Sequence, residues 1–586
     1  MMRTEIRGVG LLAVLVLALG CSEQPDVQPG ATSRPALADA PDLPSEIVVP
    51  DPDRRITRLE IVEDNSEEVA DELLDFSEAL RKRDFRDAGE WLAPEFAGHA
   101  LHGLEVESSV AEKAGMRLVK YHASSAGIVG RAGFIDALER RIGGWERVES
   151  MIFKVKGAEF QVGDKPQWGK IRIWFHAIGV DRGGVPRSFD GWANARAERR
   201  GQRWLLTHFQ LESMGAKERE RAFFTDVSAS AGVAHTGDRF GQPGNSSYAF
   251  NGAASADVNG DGRWDIFVPS DGRNFLYIAD SAGGYSEEAE ARGLVQPDAG
   301  TGAVFFDFDN DLDVDLVVGQ VGARDAKGTL EGRTLQLYRN DGKGVFEEVS
   351  AEFGLETPFV AYSLTVFDYD LDGWLDLFVC GYGRLELEHN NDWIEATNGS
   401  PNALLRNMEG KGFRDVAQEA GVRGTSWSYA AAAADIDEDG DPDLYVANDY
   451  GTNRLYLNDG NGKFKDVAVA WGVEDQGNGM GVSFGDLTGD GRLDLYVSNM
   501  SSTAGNRILN RLAGDLDPDI HAMLKKAAAG NTIFARTTDG FRTLVNSGGT
   551  GAAWAWASGL ADFDLDGTLD VFCTNGFVTG DLAHDT

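Results

Sequence analysis

The stretch Asp257-Val258-Asn259-Gly260-Asp261-Gly262-Arg263-Trp264-Asp265 decides the fold, because the same nine-residue pattern occurs six times along the chain. Its consensus is Asp-x-Asp-x-Asp-Gly-x-x-Asp, and a short apolar run such as Ile266-Phe267-Val268 follows at once. A motif that recurs in phase before a predicted strand indicates a repeat architecture. The six copies, termed loops 1 to 6, span residues 257–265, 307–315, 368–376, 435–443, 486–494 and 562–570.

The spacing of oxygen-bearing side chains in each loop predicts binding of a hard divalent cation. Calcium takes about six to eight oxygen ligands, and a tightly coiled loop directs the side chains of positions 1, 3 and 5 to one point. Glycine at position 6 permits the sharp turn, position 7 offers its carbonyl, and the position 9 carboxylate closes the shell. Magnesium fits less well because it keeps several waters. The predicted cofactor is therefore Ca²⁺. Its predicted ligands are Asp257, Asn259, Asp261 and Asp265 in loop 1; Asp307, Asp309, Asp311 and Asp315 in loop 2; Asp368, Asp370, Asp372 and Asp376 in loop 3; Asp435, Asp437, Asp439 and Asp443 in loop 4; Asp486, Thr488, Asp490 and Asp494 in loop 5; and Asp562, Asp564, Asp566 and Asp570 in loop 6.

Two other interpretations of the loops are weaker. An EF-hand requires Glu at position 12 and flanking helices, whereas position 12 here is Val or Cys inside a predicted strand. A single loop of this kind is often a solvated acidic turn, but six with the same ligand spacing are not explained in that way. Leu312 replaces Gly at position 6 of loop 2, and Thr488 replaces Asp at position 3 of loop 5. We expect these two loops to bind most weakly.

The intervals between the loops contain a second repeated signal. Leu337-Tyr338-Arg339-Asn340-Asp341-Gly342 leads to Phe346, and Leu455-Tyr456-Leu457-Asn458-Asp459-Gly460 leads to Phe464. A strand, a turn rich in Asn, Asp and Gly, and a second strand together predict a hairpin. With the strands on either side of each loop, this makes a four-stranded unit that matches one blade of a β-propeller.

These loops, with the small-residue strands that precede them such as Gly252-Ala253-Ala254 and Ala431 to Ala434, resemble FG-GAP (VCBS) repeats. The hairpins and the segments of the type Glu419-Ala420-Gly421-Val422 are similar, more narrowly, to the cartilage acidic protein family and its bacterial relatives. The resemblance implies a mainly β chain with an integrin-α-like propeller over residues 216–586, whose loops bind calcium outside the cell. Six blades are recognisable, and a degenerate seventh is left open. The resemblance implies no known reaction.

Residues 55–215 predict a small α+β domain. A helix is expected to start at Asn65 or Ser66, followed by strands at Met151 to Val155 and Ile171 to Ile178. A hairpin then joins Gly191 to Glu198 with Trp204 to Leu211. This order of elements resembles the NTF2-like cone, in which a curved sheet wraps a helix and leaves a pocket.

The N-terminus predicts export. Basic residues precede an apolar run from Val9 to Leu19, which is too short to span a bilayer and is typical of a signal peptide over residues 1–20. The stretch Leu17-Ala18-Leu19-Gly20-Cys21 resembles a bacterial lipobox, which would make Cys21 the lipid-bearing residue; ordinary cleavage after Gly20 is the alternative. Residues 21–54, rich in Pro and Asp, then form a tether.

The charge balance and the motifs limit the kinds of function and partner to be expected. The 94 Asp and Glu residues outnumber the 55 Lys and Arg, and a net charge of -39 disfavours nucleic acid as a partner. We expect a periplasmic or cell-surface lipoprotein that binds a protein or polysaccharide, with a membrane contact only through Cys21. The alternative is a carbohydrate-active enzyme of the lyase or dehydratase type, which uses the propeller or the NTF2-like pocket. Trp393, Trp427, Trp554 and Trp556 are candidates for stacking on sugars, although packing is the favoured role. No catalytic residue is predicted.

Overall fold

The computed structural model describes residues 52–111, 116–219, 224–235, 252–270, 273–295, 300–320, 333–383, 390–392, 395–512, 514, 516–545 and 554–575. The chain divides into two compact units, Met1–Thr225 and Asp226–Thr586. The predicted signal peptide, most of the predicted tether and Cys21 lie outside the described residues.

The first unit is a helix packed on an eight-stranded sheet. The sheet runs in the order β2-β3-β8-β7-β6-β5, and β1 pairs with β8 in parallel and with β4 in antiparallel orientation. Helix α1 lies mainly against β5 and, to a smaller extent, against β8. The elements are α1 (Pro52–Arg81), α2 (Phe85–Gly89), β1 (Leu92–His99), β2 (Val106–Ala111), β3 (Met116–Tyr121), a 3₁₀ turn (Ala123–Ser125), β4 (Ile128–Gly130), α3 (Arg131–Ile142), β5 (Trp145–Phe160), β6 (Trp168–Asp181), β7 (Pro186–Arg200) and β8 (Arg203–Arg219).

The predicted start of the first helix was wrong, because α1 already includes Pro52. The side chains taken for caps lie inside the helix. The Asn65 amide donates to the carbonyl of Ile61 at 2.5 Å, and the Ser66 hydroxyl donates to the carbonyl of Val62 at 2.6 Å. Polar residues that bond back to the preceding turn are tolerated in a helix interior, so their presence did not mark its beginning.

The predicted strands of the first unit are confirmed, each with longer bounds than expected. Ile171, Ile173 and Phe175 are buried, while Arg172 between them is exposed, as alternation on a one-sided sheet requires. Phe153 stacks on Phe175 with ring centroids 5.4 Å apart, which places the core between the sheet and α1.

The second unit consists of five four-stranded antiparallel sheets and one two-stranded sheet. In each sheet, strands that follow one another in the chain are neighbours. Sheet 1 contains β9 (Ala254–Ala256), β10 (Asp265–Val268), β11 (Phe275–Ala279) and β12 (Tyr285–Glu287); sheet 2, β13 (Gly300–Phe306), β14 (Asp315–Gln320), β15 (Gln336–Asn340) and β16 (Phe346–Glu348); sheet 3, β17 (Ala361–Phe367), β18 (Asp376–Gly381), β19 (Ala403–Asn407) and β20 (Phe413–Asp415); sheet 4, β21 (Ser428–Ala434), β22 (Asp443–Asn448), β23 (Arg454–Asn458) and β24 (Phe464–Asp466); sheet 5, β25 (Gly481–Gly485), β26 (Asp494–Ser498), β27 (Thr532–Thr537) and β28 (Gly540–Thr543); and sheet 6, β29 (Ala555–Ala561) and β30 (Asp570–Asn575).

Each acidic loop joins the first and second strands of one sheet. The first strands β9, β13, β17, β21, β25 and β29 lie beside one another in that order. Every residue of β14, β18 and β22 is buried, because apolar side chains from the adjacent sheets cover both of their faces. The expectation of a mainly β chain built from repeated four-stranded sheets is therefore confirmed.

A buried Asn at the end of the third strand ties successive sheets together. The Asn458 side-chain amide donates to the carbonyl of Tyr369 in the preceding loop at 2.8 Å. Asn340 and Asn407 make the same bond, each at 2.8 Å, to the carbonyls of Val258 and Phe308. The hairpin Asn that signalled a turn in the sequence thus also connects one sheet to the loop of the sheet before it.

The second unit also contains short helices. Helix α4 (Ser228–Ala231) precedes sheet 1, while α5 (Ala417–Ala420) follows sheet 3 and α6 (Ala468–Trp471) follows sheet 4. Helices α7 (Thr503–Leu512) and α8 (Pro518–Ala527) lie between β26 and β27 of sheet 5. Gly421 ends α5 with a φ of 89°, a left-handed conformation that suits glycine. The helix-like segment from Ile520 to Ala528, which the sequence places as an insertion between loops 5 and 6, is confirmed as α8. In the described part of the chain, no helix combines the length and the apolar character that a membrane crossing needs.

Candidate metal centre

Each acidic loop has two residues in the left-handed conformation, at positions 4 and 6. Two such residues so close together coil the backbone tightly enough for side chains at alternate positions to converge. Only position 6 was expected from the sequence; Gly260, Asn310 and Gly489 at position 4 were the missed signal. The φ values at positions 4 and 6 are 71° and 83° in loop 1, 58° and 76° in loop 2, 56° and 88° in loop 3, 64° and 98° in loop 4, 72° and 86° in loop 5, and 59° and 88° in loop 6.

The carboxylates at positions 1 and 5 are oriented by backbone N–H groups of their own loop. In loop 4, Asp435 accepts hydrogen bonds from the N–H groups of Asp439 and Gly440, both at 3.1 Å. Asp439 in turn accepts from the N–H of Asp441 at 3.2 Å. The same bonds recur in all six loops, so each loop holds two carboxylates in a fixed direction.

The carboxylate at position 9 has a structural role that the sequence did not predict. Asp443 is fully buried, and its two oxygens accept hydrogen bonds from the N–H groups of Ile436 and Asn458, both at 2.9 Å. It therefore joins the loop to the third strand of the sheet. Asp265, Asp315, Asp376 and Asp494 are buried in the same way and make equivalent pairs of bonds.

The position 3 carboxylates point to a cation. One oxygen of Asp309, of Asp370 and of Asp437, the Oδ1 atom in each, is buried without a hydrogen-bond partner among the described residues. An unpaired buried carboxylate oxygen is costly, and a bound cation would satisfy it. Carboxylate oxygens of four loops lie within 4.8 Å of one another, in the groups Asp307, Asp309 and Asp311; Asp368, Asp370 and Asp376; Asp435, Asp437 and Asp443; and Asp562, Asp564 and Asp566. The residues present thus fit a calcium ion.

Burial and mutual repulsion raise the pKa values of several loop carboxylates. The pKa values of Asp315, Asp376 and Asp443 are raised to about 7, mainly by desolvation and in smaller part by neighbouring loop carboxylates, against the lowering effect of their backbone hydrogen bonds. Desolvation, with repulsion from Asp439, likewise raises the pKa of Asp441 to about 6. A divalent cation would remove much of this repulsion, so the electrostatics of the loops favour a bound cation.

Loops 1, 5 and 6 differ from this arrangement. Loops 1 and 5 offer a neutral oxygen at position 3, from Asn259 and Thr488. In loop 5 the pKa of Asp486 is lowered, first of all by the hydrogen bond from the N–H of Gly491. Loop 6 places Asp570 in an exposed position.

Leu312 is an unfavourable residue at position 6, where the other five loops have Gly, because it has a φ of 76° and is 91 % exposed. A left-handed conformation costs a non-glycine residue about 1–2 kcal/mol, and this side chain buries little surface in return. We expect Leu312→Gly to raise the free energy of unfolding by about 0.5–1 kcal/mol after the entropic cost of glycine. Urea denaturation measures the change. Leu493→Gly, at an exposed site with no positive φ, is the control and should destabilise; equal effects of the two changes would contradict the strain at Leu312.

The aromatic residues considered for sugar stacking are mainly packed. Trp427 is fully buried, donates from Nε1 to the Oδ1 atom of Asn398 at 2.9 Å, and contacts Tyr382 and Tyr450 with centroids 5.2 and 5.3 Å away. Trp556 is half-buried against the same cluster. Trp393 lies outside the described residues. In the first unit, a hollow under α1 lined by Leu73, Trp91 and Trp204 has room for about one water molecule.

The sequence of the second unit matches the FG-GAP-like repeat over residues 257–318, 325–379 and 435–497. Cartilage acidic protein 1 of Mus musculus is 26% identical over 230 residues, which are 39% of this chain and 31% of that protein. The Xenopus tropicalis protein of the same name is 24% identical over 281 residues, covering 39% of this chain and 41% of its own length. The chain therefore spans less than half the length of the curated relatives it matches.

Two solved structures align with parts of the chain at low TM-scores. A putative scytalone dehydratase from Novosphingobium aromaticivorans has a TM-score of 0.20 at 10% identity, covering 29% of this chain and 99% of its own. A lectin from Agrocybe aegerita that recognises non-reducing terminal N-acetylglucosamine has a TM-score of 0.30 at 14% identity, covering 80% of this chain and 95% of its own.

Proposed function

Because the chain is an FG-GAP-repeat protein that resembles the cartilage acidic protein family, we propose that its second unit is a calcium-stabilised interaction module. The observation that carries this proposal is the buried Oδ1 atom at position 3 of loops 2, 3 and 4, which has no hydrogen-bond partner in the described part of the chain and lies where the other carboxylates of each loop converge. A calcium ion would be held by positions 1, 3 and 5, with position 9 behind them. Loops 2 and 5 would bind most weakly.

When bound, the ion would supply the positive charge that balances the carboxylates of the loop between the first and second strands of a sheet. The chain's own residues do the rest: position 1 and position 5 carboxylates are directed by N–H groups, and position 9 anchors the loop to the third strand. We further propose that the six sheets are blades of one integrin-α-like propeller. The adjacent first strands and the Asn links between sheets support this arrangement.

The proposed partner is a protein or a polysaccharide outside the cytoplasm. The net charge of -39 makes a nucleic acid partner unfavourable. A glycan array and a panel of extracellular matrix proteins, probed with the purified chain in calcium and in EDTA, test the proposal. Calcium-dependent binding without turnover is the expected result. Release of an unsaturated or dehydrated sugar product would support the carbohydrate-active enzyme instead.

We propose that the chain is exported and anchored by a lipid on Cys21, as the lipobox-like stretch before it implies. The tether up to residue 54 would then hold the folded units away from the membrane. Cys21→Ser is expected to move the protein from the membrane fraction to the soluble fraction of the cells that express it. Unchanged partition of this variant with membranes would overturn the lipid anchor, and Cys573→Ser serves as the control for loss of a thiol.

A further inference from the structure

Arg406, on strand β19, directs its guanidinium at loop 3. Its Nε atom lies 2.8 Å from Oδ2 of Asp370, and its Nη2 atom lies 3.0 Å from Oδ2 of Asp372. These carboxylates occupy positions 3 and 5, which are both predicted calcium ligands. The Asp370 side chain is 16% exposed and that of Arg406 31%, so water screens the pair only partly.

The equivalent residues in the neighbouring sheets do not contact their loops in this way. Arg406 immediately precedes the buried Asn407, and the residues before Asn340 and Asn458 are Arg339 and Leu457. Arg339 is close enough to Asp309 in loop 2 to oppose the rise of its pKa, but its ion pair, at 3.1 Å, is with Glu347 across the hairpin. Leu457 has no charge. Among loops 2 to 4, as the structure describes them, loop 3 is therefore the one whose carboxylates pair with a guanidinium from the third strand.

We propose that Arg406 is a built-in counter-cation that lets loop 3 hold its carboxylates together without metal and lowers its affinity for calcium. The inference rests on the proposed calcium binding. Oδ1 of Asp370 has no hydrogen-bond partner among the residues with a described structure, and oxygens of Asp368 and Asp376 converge with those of Asp370, so loop 3 keeps a place for a cation. An incoming calcium ion must share or displace Arg406 at the two Oδ2 atoms. Loop 4, with Leu457, has no such competitor on its third strand.

The effect on calcium affinity follows from the free energy that the ion pair contributes to the metal-free loop. A guanidinium that bridges two partly exposed carboxylates favours the metal-free loop modestly, and calcium binding must overcome that preference. Removing the guanidinium should therefore tighten cation binding at loop 3 by about threefold to tenfold. The same change should make the metal-free protein less stable, because the carboxylates lose their only counter-charge on that strand.

A loop-specific measurement is available because Trp374 lies within loop 3. Tb³⁺ binds calcium sites, and an indole in the same loop sensitises its luminescence. Trp264 in loop 1 is 67% exposed, so Trp264→Phe removes that contribution without disturbing a core. In this background, Tb³⁺ titrations of the full chain compare the parent, Arg406→Leu and the matched control Arg339→Leu. A further variant, Trp374→Phe, identifies the signal of loop 3 by its loss.

The expected result is a half-saturation concentration about threefold to tenfold lower for Arg406→Leu and unchanged for Arg339→Leu. An unchanged or higher value for Arg406→Leu, in a parent with a Trp374-dependent signal, would overturn the role of Arg406 alone. Equal tightening by both variants would also overturn it, since a general loss of positive charge would then be sufficient. A parent without any Trp374-dependent signal would overturn calcium binding at loop 3, and with it this inference. Thermal unfolding in EDTA checks folding, and Arg406→Leu should unfold at a lower temperature than Arg339→Leu.

Discussion

Removal of calcium is expected to lower the thermal unfolding midpoint of the second unit by about 10 °C. For extracellular calcium modules Kd is roughly 10⁻⁴ to 10⁻³ M, so CaCl₂ at about 10 mM is ten to a hundred times Kd. Each occupied loop then contributes about 1.4–2.7 kcal/mol. Over the four loops with converging carboxylates this amounts to about 6–11 kcal/mol. A unit that spans Asp226–Thr586 loses about 0.8 kcal/mol per degree near its midpoint, which gives the stated shift.

Calorimetry of the intact chain in CaCl₂ and in EDTA measures this shift. The first unit is the internal control, because no converging carboxylate group was found among its described residues and its transition should stay in place. Magnesium should restore less of the midpoint than calcium at equal concentration, since it resists dehydration. Identical transitions with and without calcium would contradict the proposed function.

A single substitution in loop 4 separates metal binding from general acidity. Asp437→Ala removes the half-buried carboxylate whose buried Oδ1 atom has no hydrogen-bond partner among the residues that the structure describes. In EDTA this should stabilise the protein by about 1 kcal/mol, because an unpaired buried oxygen and its repulsion from Asp439 are lost. In calcium it should destabilise, because a ligand is lost. Opposite signs in the two conditions are characteristic of a cation ligand, and a loss of stability in both would indicate a merely structural residue.

Most of the second unit could be predicted from the sequence because the signals that specify it are local and repeated. Loop spacing, hairpin turns and alternating apolar runs each act within about ten residues, and six copies in phase remove the ambiguity of one. The Gly at position 6 and the helix at 518–527 were found for the same reason. The helix start in the first unit was missed because Asn65 and Ser66 have two possible roles, cap or back-bonded interior residue, and only the preceding residues decide between them.

What the sequence could not supply is the pairing of distant groups. The loop pattern predicts that Asp443 is a metal ligand. The hydrogen bond that it accepts from the N–H of Asn458, however, depends on how β23 packs beside β22. The contact of Arg406 with Asp370 has the same origin, 36 positions along the chain and one strand apart in the sheet. Arg339 has the same local sequence context and a different partner, so the sequence context alone does not distinguish the two.

The second large effect is expected for Asp443→Ala, which tests the anchoring role of position 9. The change leaves the N–H groups of Ile436 and Asn458 buried without their acceptor. Each unsatisfied N–H costs about 1–3 kcal/mol, and relief of a desolvated carboxylate offsets part of the loss. We expect a net destabilisation of about 3 kcal/mol, measured by urea denaturation in EDTA so that no lost metal contributes.

Asp570→Ala is the matched control, because the same loop position is exposed in sheet 6 and accepts one described hydrogen bond, from the N–H of Phe563 at 3.0 Å. It should change stability in EDTA by less than about 1 kcal/mol, since the freed N–H can bond to water. A similar loss in both variants would mean that position 9 acts through local loop geometry rather than through the third strand. The predicted asymmetry follows from burial, because both carboxylates have the same place in the motif and differ in what packs over them.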